Sequence, residues 1–196
     1  MKIPSHLSGC RNILALFTLA LVLTACSTHK TVESQSAAAL PPQTLLTGEI
    51  LNILHVINNG EIKQGGLALQ RSSDPYVLYM AQLLVQDHMA LNQRVAALAV
   101  ANGVKMEESV LSRTLHTQTN DILESEAKLS GKQFDCTFLK DQVDVHAMVG
   151  QLIREQLLPS ATTPEVKELL IAAAPRLEYH RKQALDYYIG LQCPPL

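Results

Sequence analysis

From Thr44 onward the apolar residues of this chain recur every three or four positions, and no stretch alternates apolar with polar residues over the length of a strand. No Asn-Gly or Asp-Gly hairpin signal stands between β-branched runs. A chain patterned this way offers one apolar stripe per helix and closes its core by packing helix on helix. The expectation is an all-α fold over residues 44–193, one domain of about 150 residues, enough for a single core.

The stripes delimit four long helices. The first is expected from about Gln43 to Gln70, with Leu46, Ile50, Ile53, Ile57 and Ala68 inward. Ser72-Ser73-Asp74-Pro75 then supplies a turn, a capping side chain and a proline at the first helical position. The second helix runs from Pro75 to about Asn102, with Val77, Met80, Leu84, Leu91, Val95 and Leu98 inward and Gly103 as its stop. Residues 104–132 are less regular; a short helix is expected over Thr119 to Leu129, so this long connection can travel the length of the bundle. The third helix is expected from about Lys132 to Leu158, carrying Phe138, Leu139, Val149, Leu152 and Ile153. Thr162-Thr163-Pro164-Glu165 opens the fourth, which carries Val166, Leu170, Ala173, Leu177 and Ala184 as far as Gly190 and is expected to kink at Pro175.

Each stripe is interrupted once by a group able to bind a metal or carry a proton. Glu61 lies four after Ile57, His88 four after Leu84, His146 three before Val149, and His180 three after Leu177. Glu61 and His88 stand about 12 to 14 residues from the first hairpin turn, and His146 and His180 about 14 to 18 from the second. At about 1.5 Å per residue all four sit near mid-helix.

Asn59-Gly60-Glu61-Ile62, the stretch from Ser73-Asp74-Pro75 to Val85-Gln86-Asp87-His88, Gln142-Val143-Asp144-Val145-His146, and Leu177-Glu178-Tyr179-His180 together resemble the domain-of-unknown-function 4142 family. The similarity covers about Leu45 to Ile189. That resemblance implies a secreted bacterial protein with a ferritin-like antiparallel four-helix bundle, and it implies no particular activity. Ferritin-like di-iron sites draw a Glu from each of two helices and Glu-x-x-His from the other two. Here Val85, Val143 and Leu177 stand three before the histidines, so the bridging carboxylates are missing. Glu61, His88, His146 and His180 form a nitrogen-rich set suited to copper, zinc or a single iron. Asp87, Asp144 and Glu178, one or two residues from a histidine, are candidates to orient the ligands from outside. The alternative is a set of buried structural histidines, hydrogen-bonded to Glu61, Gln64, Gln142 or backbone and fixing helix register in a non-catalytic envelope module.

The N-terminal segment sets the expected address. Lys2 and Arg11, the apolar run Ile13 to Leu23 and the lipobox Leu23-Thr24-Ala25-Cys26 read as a lipoprotein signal peptide over residues 1–25, with Cys26 lipidated. Leu7-Ser8-Gly9-Cys10 has the same form, but only six residues precede it. The apolar run is well short of the roughly 20 residues that span a bilayer, so the acyl chains would be the membrane anchor. Ser27 is not the aspartate that commonly retains lipoproteins at the inner membrane. The expected site is the periplasmic side of the outer membrane, or the outer face of the plasma membrane in a single-membrane cell. Residues 26–43, with Ser-Gln-Ser-Ala-Ala-Ala and Pro41-Pro42, read as a tether.

Removing residues 1–25 takes away two basic side chains and no acid, leaving 14 against 18. That mildly acidic body lacks the clustered Lys and Arg of a nucleic-acid binder. No Gly-x-Ser-x-Gly elbow or phosphate-cradling glycine loop is present, and no catalytic residue is assigned. Cys136 and Cys193 would be linked in an oxidising compartment if the tail after Gly190 folds back, and would otherwise be separate thiols. Protein partners are not legible.

Overall fold

The computed structural model describes residues 44–196; Cys26, the signal peptide and residues 26–43 lie outside them. Asp74 starts one long helix as its residue type requires: its carboxylate accepts from the backbone N–H of Tyr76 at 2.9 Å and of Val77 at 3.2 Å, with Pro75 following. The elements are α1 (Thr47–Arg71), α2 (Pro75–Ala101), α3 (Val110–Glu126), α4 (Gly131–Leu152), α5 (Leu158–Ser160) and α6 (Pro164–Gly190). Among the described residues there is no strand.

α1 and α2 form one antiparallel hairpin and α4 and α6 a second; α2 lies against α6, and α3 packs along α1. The connection between hairpins does cross the bundle. It leaves α2 beside the start of α1, where the Glu107 N–H donates to the Gly48 carbonyl, and α3 carries it back towards the start of α4. The four long helices thus form the antiparallel bundle with a long crossover.

Several local expectations are corrected. α3 begins at Val110, well ahead of Thr119, because Ser109 and Ser112 cap each other's backbone N–H groups reciprocally. Leu46 is exposed at the start of α1. Thr163 precedes α6 without a side-chain cap bond; its hydroxyl meets that of Thr47 at 3.0 Å. The expected third helix passes through a π-helical turn, Ile153–Leu157, just ahead of Pro159, which has no N–H to continue the α pattern. α6 runs through Pro175 without a break. Cys136 and Cys193 are disulfide-bonded with Cα atoms 5.6 Å apart. The tail folds back because Gln192 takes φ 53° and the Cys193 N–H returns to the Tyr188 carbonyl.

The core is in two parts. One half gathers Ile50, Ile53, Leu54, Val95, Val149, Leu157, Val166 and Leu170; the other gathers Ala68, Val77, Met80, Leu84, Phe134, Phe138, Leu139 and Ala184. Between them, at mid-helix, lie Asn58, Glu61, Gln64, His88, Gln142, His146 and His180, all buried. Glycines let neighbours approach α1 above and below this layer. A Cβ on Gly48 would stand 2.2 Å from the Lys105 carbonyl oxygen, and one on Gly65 2.9 Å from that of Ala81. A Cβ on Gly66 would meet nothing within 4 Å.

Gly48→Ala is therefore expected to destabilise by about 1–3 kcal/mol. Gly66→Ala, in open space inside the same helix, is expected to stabilise by about 0.5–1 kcal/mol. Urea unfolding of both variants checks the pair; equal effects would mean the Gly48 approach is not a constraint.

Candidate metal centre

α2, α4 and α6 each bring one histidine to the centre of the layer. One ring nitrogen from each of His88, His146 and His180 lies within 4.8 Å of the others, and the three side chains are 2–4 % exposed. Burial holds all three rings neutral. His88 is pushed well below its usual value by burial and by the neighbouring His146 and His180; His146 falls to about 3, again by burial first; His180 is lowered by burial, opposed by Asp87.

A neutral imidazole has one N–H and one lone pair, so its hydrogen-bond partners fix which nitrogen is which. His146 Nδ1 lies 2.9 Å from the Gln142 carbonyl oxygen, which can only accept; the proton is on Nδ1 and the lone pair on Nε2. His180 Nε2 lies 2.7 Å from Asp87 Oδ2, so its proton faces the carboxylate and Nδ1 carries the lone pair. His88 Nδ1 donates to Asn58 Oδ1 at 2.9 Å. That oxygen is an acceptor because Asn58 donates through its amide to Asn92, Asn92 to Asn59, and Asn59 to Nε2 of His55. The His88 lone pair is on Nε2, a buried atom with no hydrogen-bond partner. Two of the three lone pairs, His146 Nε2 and His180 Nδ1, face each other at 3.2 Å, and His88 brings a ring nitrogen within 4.8 Å of the set.

Asp87 also holds Arg176, whose Nε donates at 2.6 Å. Of the three acids expected to orient ligands, Asp87 touches one of the histidines, His180. Asp144 is turned outward to Lys140, and Glu178 to Arg181. Asn58 was not singled out from the sequence, although it stands four after Leu54 and three before Glu61 on the same buried stripe. Arg176 was not legible either, since nothing marks the partner of an acid 89 residues away. Of the methionines, Met80, expected inward on its helix, is fully buried, whereas Met89 and Met148 are exposed.

Glu61 does not join the histidines. It lines a cavity of about 360 Å³ between α1, α3 and α4, whereas His88 and His180 line another, of about 230 Å³, between α2 and α6; the two share only Ile57 and Val149 as walls. Glu61 shares its surroundings with Glu126 of α3. Burial pushes Glu61 up to about 8 against a hydrogen bond from Gln142, and pushes Glu126 to about 8 with the charges of Asp141 and Glu61 adding to the rise. Both are neutral acids at pH 7.

In the unfolded chain both carboxyls titrate near 4.5. Between pH 4.5 and 8 the native state keeps protons that the unfolded state has lost, so stability falls as pH rises through that window. Glu61→Gln and Glu126→Gln are each expected to flatten that fall, by up to about 4 kcal/mol between pH 5 and 8.5. Urea unfolding at the two pH values reads the difference; an unchanged slope would mean the carboxyls are ionised in the native protein.

No curated protein and no solved structure matches the chain. The family model described as Domain of unknown function (DUF4142) matches residues 32–186, beginning inside the segment read as a tether and ending within α6. That match spans well over half of the sequence, and the chain belongs to the DUF4142 family.

Proposed function

We propose that this protein is a metal-binding lipoprotein of the bacterial envelope, with one transition-metal ion held by His88 Nε2, His146 Nε2 and His180 Nδ1. The observation that carries this reading is a cluster of three buried imidazoles, one ring nitrogen of each within 4.8 Å of the others, whose N–H groups are all committed to protein acceptors. Metal-ligating histidines are oriented in this way, with the second nitrogen on a carboxylate, carbonyl or amide. Two lone pairs 3.2 Å apart repel each other unless a positive centre lies between them. Two nitrogens bound at about 2.0–2.1 Å in a tetrahedral site stand roughly 3.3 Å apart, close to that separation. Rings already neutral at pH 7 need shed no proton to bind.

Nitrogen donors alone favour copper, zinc or a single iron. Glu61, as a neutral acid on the far side of the layer, is left out of the ligand set. Three protein ligands leave a coordination position open, as in catalytic rather than closed structural sites. Lipidation at Cys26 would anchor the protein, on the periplasmic side of the outer membrane or on the outer face of a single membrane. The Cys136–Cys193 disulfide accords with an oxidising compartment. Among the described residues no helix is long and apolar enough to cross a membrane.

The test is the metal content of the full-length protein, purified without a metal-affinity tag, beside a His88→Ala/His180→Ala double variant. About one equivalent of copper, zinc or iron is expected in the native protein and none in the variant. At a free metal concentration of about 100 times Kd, the native protein should gain about 2.7 kcal/mol in unfolding free energy. Failure to take up any of the three metals would leave the histidines as core residues that fix helix register.

A further inference from the structure

The cavity beside the histidines has a shape and a charge of its own. It is a slot of about 230 Å³ along the α2–α6 seam, with His88 and His180 at one end and Leu54, Leu169 and Arg94 towards the other. From His88 to Arg94 is six residues of α2, or about 9 Å. Between those ends the walls are apolar, with Leu91 supplied by α2 and Ala173 by α6. His146 does not line this slot, so a ligand reaching the ion from it would pass the His88 and His180 side.

The electrostatics select the sign of such a ligand. Three neutral imidazoles leave both charges of a divalent ion uncompensated. Asp87, which lines the slot, is already engaged by His180 and Arg176. Arg94 has no acidic partner among the described residues and adds positive charge at the outer end. A low-dielectric slot beside an uncompensated cation stabilises an anion strongly, while its apolar walls reward an alkyl body.

We propose, on the basis of the three-histidine metal reading, that this slot binds an unbranched alkyl carboxylate, its carboxylate on the open metal position and its chain along Leu91, Ala173 and Leu169. The head is recognised by charge and the tail by burial. Affinity therefore rises with chain length until the slot is filled.

The experiment uses the full-length protein loaded with Co(II), whose visible absorption reports a change of ligand, titrated with acetate, butyrate, hexanoate, hexanol and hexylammonium. Each added methylene is expected to tighten carboxylate binding about fourfold, with neither hexanol nor hexylammonium changing the spectrum. Ala173→Phe, which fills the slot from a half-buried position, should keep acetate binding and lose the gain with length; Leu91→Ala, which widens it, should weaken hexanoate more than acetate. Cobalt uptake with no carboxylate response, with equal affinity for acetate and hexanoate, or with the alcohol acting as the acid does, would overturn this proposal and leave the metal reading standing. Failure to take up cobalt in the native protein would count against both.

Discussion

A polar layer through the middle of an otherwise apolar bundle is the constraint to which the other features answer. Each buried donor or acceptor left unpaired costs about 1–3 kcal/mol, so the helices must meet in the register that pairs these groups. A sliding helix would move His88 off Asn58 and His180 off Asp87. The two apolar halves supply the burial that drives association, and they are not specific about register in the same way. The close approach at Gly65 brings α1 against α2, the helix that carries Asn92 of the asparagine chain.

Burial keeps the layer almost free of charge. Neutral carboxylic acids on the α1–α3 side and neutral imidazoles on the α2–α4–α6 side come from the same desolvation acting on groups of opposite type. Their pH responses oppose each other. The depressed histidines weaken the native state as pH falls below about 6.5, because the unfolded chain takes up protons that the native state refuses. The raised carboxyls weaken it as pH rises above 4.5. Each side of the layer thus works against the other across the mildly acidic range, and a cation bound by the histidines would add stability on the neutral side, where the rings are free of protons.

The sequence carries the height of every polar group in the layer but not its direction around the helix axis at the level of a neighbour. Interrupted stripes were enough to find His88, His146 and His180, since each stands three or four residues from an apolar residue of its own helix's inward stripe. They could not separate Glu61 from the histidines. Inward from α1 means towards α2, α4 or α3, and the position of α3 follows from a Ser109–Ser112 capping pair that lacks the usual acidic partner. Asn58 was hidden for a different reason: an asparagine between isoleucine and asparagine reads as surface until its amide is seen to hold a ring. The Cys136–Cys193 bond depended on one residue, Gln192, adopting a left-handed conformation that its type does not announce.

The replacement of the bridging-carboxylate positions by Val85, Val143 and Leu177 has a physical consequence for what the bundle can hold. A two-ion centre needs carboxylates both to bridge the ions and to cancel their charge. Here the residues one turn before each histidine are apolar, and the nearest acids are either neutral, as Glu61 is, or tied to basic side chains, as Asp87 is. A second cation beside the first would meet uncompensated repulsion in a low dielectric. The layer can therefore hold no more than one such ion, and the charge that an ion bound there would lack would have to be supplied from the slot between α2 and α6.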